Sequence, residues 1–253
     1  MSKKYDDLGK RMKTYEETSQ TDLLRRMPVV IRLDGKSFHT FTKGFKKPFD
    51  KIFWETMKKT TMYLCQNIQN CVLGYCQSDE ITLILVDYYE LNTDVWFRNN
   101  VQKICSISAS MCTLMFNEFL SQELAYEYEV SGDFEKEYLT TISHKIMTAM
   151  FDSRCFNIPR EDVTNCLLWR QKDCHRNSIS SITQTLYSHK ELQNRNSKDK
   201  LKMIVGKGFN WDGLDDMYKL GTFIMKDIEG NFQYKNFDIK ESREELDQLF
   251  LAK

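Results

Sequence analysis

The acidic residues that could do chemistry stand at the ends of runs that predict β-strands. Asp34 follows a β-branched run and directly precedes Gly35, while Asp79 stands beside Glu80 in a short polar link between two apolar runs. Carboxylates that come together repel one another unless a cation lies between them. Because hard oxygen ligands on rigid strands suit Mg²⁺, we predict that Asp34, the Gly35 carbonyl and Asp79 hold two such ions against a substrate phosphate. The alternative is that both aspartates are ordinary turn residues.

The segment that follows Asp34 favours a phosphate-binding site. It reads GKSFH over residues 35–39, a short turn rich in backbone N–H donors that could wrap a triphosphate. The GxxxxGK[ST] pattern of a Walker loop is absent from it. Phe38 and His39 could contact a base by stacking or hydrogen bonding, or they could be a packed ring and a surface histidine.

Two lysines could add positive charge near the phosphates. Lys47 and Lys103 could contact phosphate oxygens, or each could be a solvated surface amine. Lys103 shares a narrow polar sector of its predicted helix with Ser106 and Ser110. Because a wholly solvated sector would be expected to carry more charge, this arrangement favours a binding role for Lys103.

A second group of polar and aromatic residues occupies adjacent helical turns in the C-terminal half. It could bind an RNA backbone, or it could dock that helix on the first domain. Its members are Trp169, Arg170, Lys172, His175, Arg176 and Asn177. Cys166, Cys174 and His175 could share a zinc ion, but their spacing fits no common zinc finger.

A sheet is needed to bring the two acidic positions together. The spacing of apolar residues predicts strands at residues 28–34, 71–76, 81–86 and 148–158, and helices at 50–66 and 94–120. The order is β-α-β-β-α-β, the split βαβ arrangement, in which the first strand lies beside the hairpin of the next two. We therefore predict an α+β domain with helices on one face of the sheet and both aspartates at one point.

The second half of the chain is predicted to be mainly helical. Its predicted elements are helices at 161–172 and 177–192 and a late hairpin of strands at 222–226 and 232–237. Pro159 interrupts the pattern of the first half. We therefore predict a first domain at residues 1–159 and a second at 160–253.

Composition excludes several classes of protein. With 41% hydrophobic and 28% charged residues among 253, the chain does not resemble a disordered one. A formal net charge of zero argues against wholesale coating of nucleic acid, although it is compatible with a local basic face. No apolar run approaches the ~20 residues that span a bilayer, the first residues resemble no secretion signal, and the cysteines form no CxxC pair. We expect a cytoplasmic protein with reduced thiols and no membrane partner.

Four stretches of the sequence resemble one known family. The family is the tRNA(His) guanylyltransferase superfamily of 3′–5′ RNA polymerases, and the stretches are residues 32–50 (RLDGKSFHTFTKGFKKPFD), 74–85 (GYCQSDEITLIL), 151–159 (FDSRCFNIP) and 169–180 (WRQKDCHRNSIS). The resemblance runs over residues 6–204. It implies a polymerase-palm-like, ferredoxin-like catalytic core, a family-specific C-terminal domain and a homotetramer.

The resemblance also implies roles for particular residues. Asp34, Gly35 and Asp79 would bind two Mg²⁺ ions, and Glu80 would join the two aspartates in catalysis. Nucleotide contacts would come from Asp34, Gly35, Lys36, Ser37, Phe38, His39, Lys47, Ser78, Asp79, Lys103 and Ser106. The tRNA would be bound by Arg154, Trp169, His175, Arg176 and Asn177.

The reaction that the resemblance implies has two steps. ATP or GTP would activate a tRNA 5′-monophosphate, and the 3′-hydroxyl of an incoming nucleoside triphosphate would then attack that phosphate. Residues 175–181 read HRNSISS where the eukaryotic enzymes that act on tRNA(His) carry an HINNLYN-type motif. This departure favours the bacterial and archaeal "like" branch, and templated repair of 5′-truncated tRNA over dedicated guanosine addition to tRNA(His).

Two other functions stay open at this point. A non-catalytic RNA-binding module on a palm scaffold would gain nothing from an acidic cluster where phosphates must approach. A nucleotidyl cyclase would share the palm and its carboxylates, but the GGDEF-type signature is absent from the chain.

Overall fold

The structure is a computed structural model that describes the backbone of residues 2–251 and the side chains of residues 7–133 and 135–251. The outermost residues of the two predicted domains, residue 1 and residues 252–253, lie outside the described part. The helices are α1 (Ser2–Glu17), α2 (Phe38–Phe41), α3 (Lys51–Asn67), α4 (Val101–Val130), α5 (Asp133–Ser143), α6 (Val163–Leu186), α7 (His189–Leu192), α8 (Ser197–Gly206), α9 (Asp216–Leu220) and α10 (Arg243–Leu251). The strands are β1 (Val29–Gly35), β2 (Cys71–Gln77), β3 (Glu80–Leu85), β4 (Phe151–Asn157), β5 (Thr222–Lys226) and β6 (Phe232–Lys235).

The strands form one antiparallel sheet, in the order β4-β1-β3-β2-β5-β6. Together with the helices this sheet gives the fold a mixed α/β architecture. The first four strands follow the order expected of a split βαβ arrangement. In this register Asp34 lies opposite Glu80 on one neighbouring strand and opposite Asp152 on the other. The prediction that the first strand lies beside the hairpin is therefore confirmed.

Helices α3 and α4 pack on one face of the sheet. The Asp50 carboxylate caps α3 by accepting a hydrogen bond from the Phe53 N–H at 3.1 Å, as the sequence predicts.

The second helix was predicted at 94–120, and this prediction is wrong at both ends. Phe97 and Arg98 adopt positive φ in a short 3₁₀ turn, so α4 begins only after Asn100, whose side chain accepts from the Lys103 N–H.

The other face of the sheet is covered by helices α6 and α10. Val163 and Leu167 of α6 and Leu246 and Phe250 of α10 are buried in one cluster with Phe223 of β5. Helices therefore lie on both faces of the sheet, whereas the sequence predicted one covered face. The difference arises because the apolar side of the C-terminal helices completes the core of the same sheet.

Helix α6 is continuous over Val163–Leu186, so the predicted break at residues 173–176 is wrong. No glycine or proline occurs in this segment. Asp173 pairs with both Arg170 and Arg176 at three-residue spacing, which supports the helix through the predicted break.

The late hairpin is confirmed as β5 and β6, and β5 pairs with β2. The sheet thus receives strands from both sides of residue 159, and the domain boundary there stays a prediction. Helix α4 is long and apolar enough, by composition alone, to cross a membrane. One such helix is weak evidence, because core helices pass the same test and Cys112, Phe116 and Leu120 are buried here.

Candidate active site

The link between β2 and β3 meets the end of β1. We call residues 77–80 the hairpin tip. The Gly35 N–H donates a hydrogen bond to the Asp79 carbonyl at 3.1 Å, and the Ser78 hydroxyl donates to the Asp79 carboxylate at 3.0 Å. The structure therefore brings Asp34 and Asp79 to one place, although they are distant in the chain.

The Asp79 carboxyl lies in an environment that disfavours its charge. Burial raises the pKa of Asp79 to about 6, and the negative charges of Asp34 and Glu80 act in the same direction. Hydrogen bonds from its own backbone and from Ser78 oppose this shift. Among the ion pairs of the described side chains, none includes Asp79.

Asp34 shares one arginine with a neighbouring acid. The Arg154 guanidinium lies 3.8 Å from the Asp34 carboxylate and 2.8 Å from Asp152, on the strand opposite. Asp34 is therefore only weakly paired, because the closer partner of this half-exposed arginine is Asp152.

These carboxylates fit the oxygen ligands that Mg²⁺ prefers. A partly buried aspartate that has no ion-pair partner and lies beside a second aspartate is a set of ligands whose repulsion a divalent cation would relieve. No group of three or more His, Cys, Asp or Glu side chains arranged to hold a metal occurs within the described residues. The remaining ligands of an ion here would have to be backbone carbonyls, water or substrate phosphate.

The loop after Asp34 is held by the aromatic core beneath it. The Phe38 ring is buried against the rings of Phe41, Phe53, Phe116 and Phe151. This ring has no free face for a base, so the part of Phe38 that a nucleotide could reach is its backbone. A Cβ on Gly35 would lie 2.3 Å from the same ring, which explains the glycine at this position.

The exposed side chains of the loop face solvent beside this core. Ser37 adopts the left-handed conformation with φ 57° and precedes α2. Lys36, Ser37 and His39 are exposed. The side chains at these three positions are accessible, and their contact with a nucleotide stays a prediction.

A cleft of about 360 Å³ opens between the α2–α3 segment, the hairpin tip and α6. Its walls bring together predicted nucleotide and RNA residues, among them His39, Lys47, Ser78, Asp79 and Asn177. One wall of the cleft thus carries lysines and another carries the Asp79 carboxyl. This combination suits a triphosphate that is bound through a cation.

Lys103 and Ser106 lie elsewhere. Both side chains are exposed on α4, and the Ser106 hydroxyl donates to the Lys103 carbonyl at 3.3 Å. Neither residue lines the cleft that contains Asp79. Their predicted contact with nucleotide stays a prediction.

The predicted RNA-binding residues are divided among different sides of α6. Trp169 is half-exposed and lies beside the guanidinium groups of Arg170, at 4.3 Å, and Arg32, at 5.5 Å. His175 instead packs edge-on against Trp211 in a separate cavity, where burial lowers its pKa. Trp169 and His175 do not line the cleft that Asn177 lines, and their predicted contact with tRNA stays a prediction.

Two residues at the site, Lys46 and Asp152, have no predicted role, and Arg170 has the docking role that was the alternative to RNA binding. Lys46 lines the cleft beside Lys47, and Asp152 lies opposite Asp34. Arg170 is 3% exposed, and its guanidinium lies 2.7 Å from the Glu80 carboxylate. Asp152 could have been found from strand pairing, since it precedes Arg154 by two residues on the same face. Helical spacing places Arg170 on the side of Val163 and Leu167, but it does not identify Glu80 as the partner of Arg170.

Comparison with known proteins identifies relatives over most of the chain. Residues 9–159 match the family model described as Thg1, tRNAHis guanylyltransferase. A bacterial tRNA(His) guanylyltransferase (Thg1)-like protein solved in complex with ATP is 38% identical, with a TM-score of 0.83, over 96% of this chain and 98% of its own. A bacterial protein of the same description in complex with GTP is 35% identical, with a TM-score of 0.75, over 98% of this chain and 100% of its own. The tRNA(His) guanylyltransferase of Schizosaccharomyces pombe is 26% identical over 92% of this chain and 86% of its own.

Proposed function

The chain belongs to the tRNA(His) guanylyltransferase (Thg1) family and is a nucleotidyltransferase, and we propose that it adds nucleotides in the 3′–5′ direction to the 5′ end of tRNA. The observation that carries the proposal is the meeting of Asp34 and Asp79 at the hairpin tip, beside a cleft lined by Lys46 and Lys47. A site with this charge pattern can bind a triphosphate through its lysines and through divalent ions that its aspartates would hold.

The residues that would hold two Mg²⁺ ions are Asp34, Asp79 and the carbonyl of Gly35. The bound ions would neutralise phosphate charge and stabilise the negative charge on the attacking and leaving oxygens. The protein itself orients these ligands, because the Gly35 N–H and the Asp79 carbonyl are hydrogen-bonded to each other at 3.1 Å.

ATP and GTP are the proposed substrates for activation. The two bacterial Thg1-like proteins that this chain resembles at 38% and 35% identity were solved with ATP and with GTP. The N–H groups of Gly35 and Lys36 already donate to the Asp79 and Met150 carbonyls. Lys47 and the backbone N–H groups of residues 37–39 would therefore bind the triphosphate, and His39 would face the base from the exposed side of the loop.

Two group transfers make up the proposed reaction. A tRNA 5′-phosphate oxygen attacks the α-phosphorus of ATP or GTP, and pyrophosphate leaves. The 3′-hydroxyl of an incoming nucleoside triphosphate then attacks the tRNA 5′-phosphorus, and AMP or GMP leaves. Positioning and charge stabilisation would carry most of the catalysis.

The tRNA would approach along the exposed arginine and tryptophan side chains near the acidic end of the sheet. Arg154 lies beside Asp34, and Trp169 is half-exposed beside two guanidinium groups. An exposed aromatic ring beside arginines suits stacking on a terminal base together with contacts to phosphate.

Templated repair of 5′-truncated tRNA is the proposed role. Residues 175–181 depart from the HINNLYN-type motif, and the bacterial Thg1-like proteins share more identical residues with this chain than the S. pombe enzyme does. The palm-like character of the core, the homotetramer and the cytoplasmic location belong to the same proposal.

The decisive assay offers purified protein two substrates, a 5′-truncated tRNA and an intact tRNA(His), each with labelled nucleoside triphosphates and Mg²⁺. We expect extension of the truncated tRNA with nucleotides complementary to the opposite strand. Addition of a single guanosine to tRNA(His) alone would instead support dedicated maturation. Tight tRNA binding without pyrophosphate release would support a non-catalytic module and overturn the proposal.

A further inference from the structure

A buried arginine joins α6 to the hairpin tip. Arg170 is 3% exposed, and its guanidinium lies 2.7 Å from the Glu80 carboxylate and also pairs with Asp173 on its own helix. The ring of Trp169 covers it at 4.3 Å. Arg170 lies beyond residues 9–159, the part of the chain that matches the family model.

Glu80 ties both ends of the hairpin tip to this arginine. Its carboxylate also accepts a hydrogen bond from the Gln77 side-chain amide at 2.7 Å, and Gln77 and Glu80 are paired residues at the end of the hairpin. Because Ser78 and Asp79 are the two residues between them, the position of Glu80 limits where the Asp79 carboxylate can lie.

The network is an expensive way to stabilise a fold. Arg32 Nε, Gln77 Oε1 and Arg170 Nε are buried polar atoms without a hydrogen-bond partner among the described residues, and all three side chains surround Glu80. Buried charges and unsatisfied polar atoms cost free energy that apolar residues of similar size would not. A network of this kind is better explained by the geometry that it imposes than by stability.

We propose that Arg170 is a positioning residue, which holds Glu80 and thereby fixes Ser78 and Asp79 of the hairpin tip against the end of β1. On this proposal Glu80 acts by anchoring the tip rather than by touching substrate. The consequence for catalysis rests on the proposed function, whereas the consequence for the position of the hairpin tip does not.

The test variant is the double substitution Arg170→Met with Glu80→Gln. Removing both charges leaves neither Arg170 nor Glu80 as an uncompensated buried ion, Asp173 keeps its pair with Arg176, and Arg32 loses only a contact of 3.9 Å, so this variant is expected to fold. The control is Arg160→Met, since the Arg160 guanidinium also covers a ring, that of Tyr88 at 3.5 Å, but lies near the opposite end of the sheet. Thermal melting establishes folding of each variant.

Hydrogen exchange measures the position of the tip without reference to activity. The Gly35 N–H donates to the Asp79 carbonyl, and the Val86 N–H, bonded to the Asn70 carbonyl, reports on the far end of the hairpin. We expect exchange at Gly35 relative to Val86 to be about tenfold faster in the double variant and unchanged in Arg160→Met. An unchanged ratio in a folded double variant would show that the network is merely structural. If the double variant does not fold, the same ratio in Arg170→Lys decides, with a rise supporting the proposal and no change overturning it.

Metal binding provides the second measurement. Titration with Mn²⁺, followed by electron paramagnetic resonance, is expected to show about tenfold weaker binding in the double variant, with a matching rise in the Mg²⁺ concentration needed for half-maximal nucleotide addition. A faster exchange ratio with unchanged Mn²⁺ binding would overturn the catalytic consequence. Absence of Mn²⁺ binding and of nucleotide addition in the unmodified protein would overturn the proposed function, while the exchange ratio would still decide on Arg170.

Discussion

Asp79 and Glu80 are neighbours in the chain, yet they belong to two regions whose charges are balanced in different ways. We call the surroundings of Glu80 the α6 side, because its nearest cation is Arg170 of α6. There the Glu80 carboxylate is held by Arg170, Gln77 and the more distant Arg32. On the cleft side, Asp79 is partly buried beside Asp34 and has no ion-pair partner among the described side chains. The α6 side is completed by the protein's own cations, whereas the cleft side would be completed by a cation from solution.

This difference separates the effects expected of substitutions. A change on the α6 side removes a charge that the fold has already balanced, so stability should respond first. A change on the cleft side removes a charge that the fold tolerates at a cost, so activity should be lost while stability is kept or improved.

The largest effect is expected from breaking the balanced side alone. Arg170→Met leaves the Glu80 and Asp173 carboxylates without their buried partner, and breaking such a pair costs about 3–5 kcal/mol. Urea unfolding monitored by circular dichroism measures the loss. A variant as stable as the unmodified protein would show that water already reaches this pair and that the two regions do not differ in the way described.

Substitution on the cleft side should act on turnover. We expect Asp34→Asn and Asp79→Asn each to lower nucleotide addition by about 100- to 1000-fold, because each would remove a ligand of the divalent ions that stabilise the charge on the transferring phosphate. Single-turnover assays at saturating Mg²⁺ measure the effect, and unchanged circular dichroism confirms the fold. Robust addition by either variant would remove the two aspartates from the catalytic site.

The pH dependence of stability sharpens the comparison further. Burial raises the pKa of Asp79 from an ordinary 3.8 to about 6, so the folded protein binds the proton more tightly than the unfolded chain. Its contribution to stability is therefore complete below pH 4 and is lost as the pH rises through about 6. A shift of two pKa units sets an upper limit of about 3 kcal/mol.

The measurement is urea unfolding in the presence of a chelator at pH 4.5 and pH 7.5. The unmodified protein should lose stability relative to Asp79→Asn between these values, because the amide does not ionise. Equal pH profiles for the two proteins would show that the Asp79 carboxyl is not in the environment described here.

The smallest effect is expected at the basic wall of the cleft. Lys47→Ala should raise the KM for ATP or GTP by about 5- to 10-fold with little change in kcat, since an exposed charge-assisted contact contributes about 1 kcal/mol. Lys43→Ala is the matched control, because Lys43 is exposed nearby but does not line the cleft. An equal rise in both variants would indicate general electrostatic attraction rather than a contact.

Much of the fold could be predicted because its signals are local. The β-branched run before Asp34 and the apolar spacing after Asp50 predict β1 and α3 within one residue of the observed ends. The unbroken course of α6 could not be predicted from apolar spacing, because residues 173–176 are mostly polar and the pair of Asp173 with Arg176 supports the helix there.

The site could be predicted only where both partners lie on strands whose order was predicted. Strand order placed Asp34 beside the hairpin tip, and the structure brings them together. The burial of Arg170 and the separation of His175 from Asn177 depend on how α6 lies across the sheet. That packing is set by tertiary contacts rather than by residue spacing.

The contact between Gly35 and the Phe38 ring bears on how this enzyme could be engineered. Any side chain at residue 35 would have to displace a ring that is already wedged among four others. In a library randomised over residues 35–39, selection for a new nucleotide preference should therefore recover diversity at Lys36 and His39, residues that tolerate a positive φ at Ser37, and an unvaried glycine at 35. The tolerance of each position to mutation would follow the aromatic layer beneath the loop rather than its distance from the substrate.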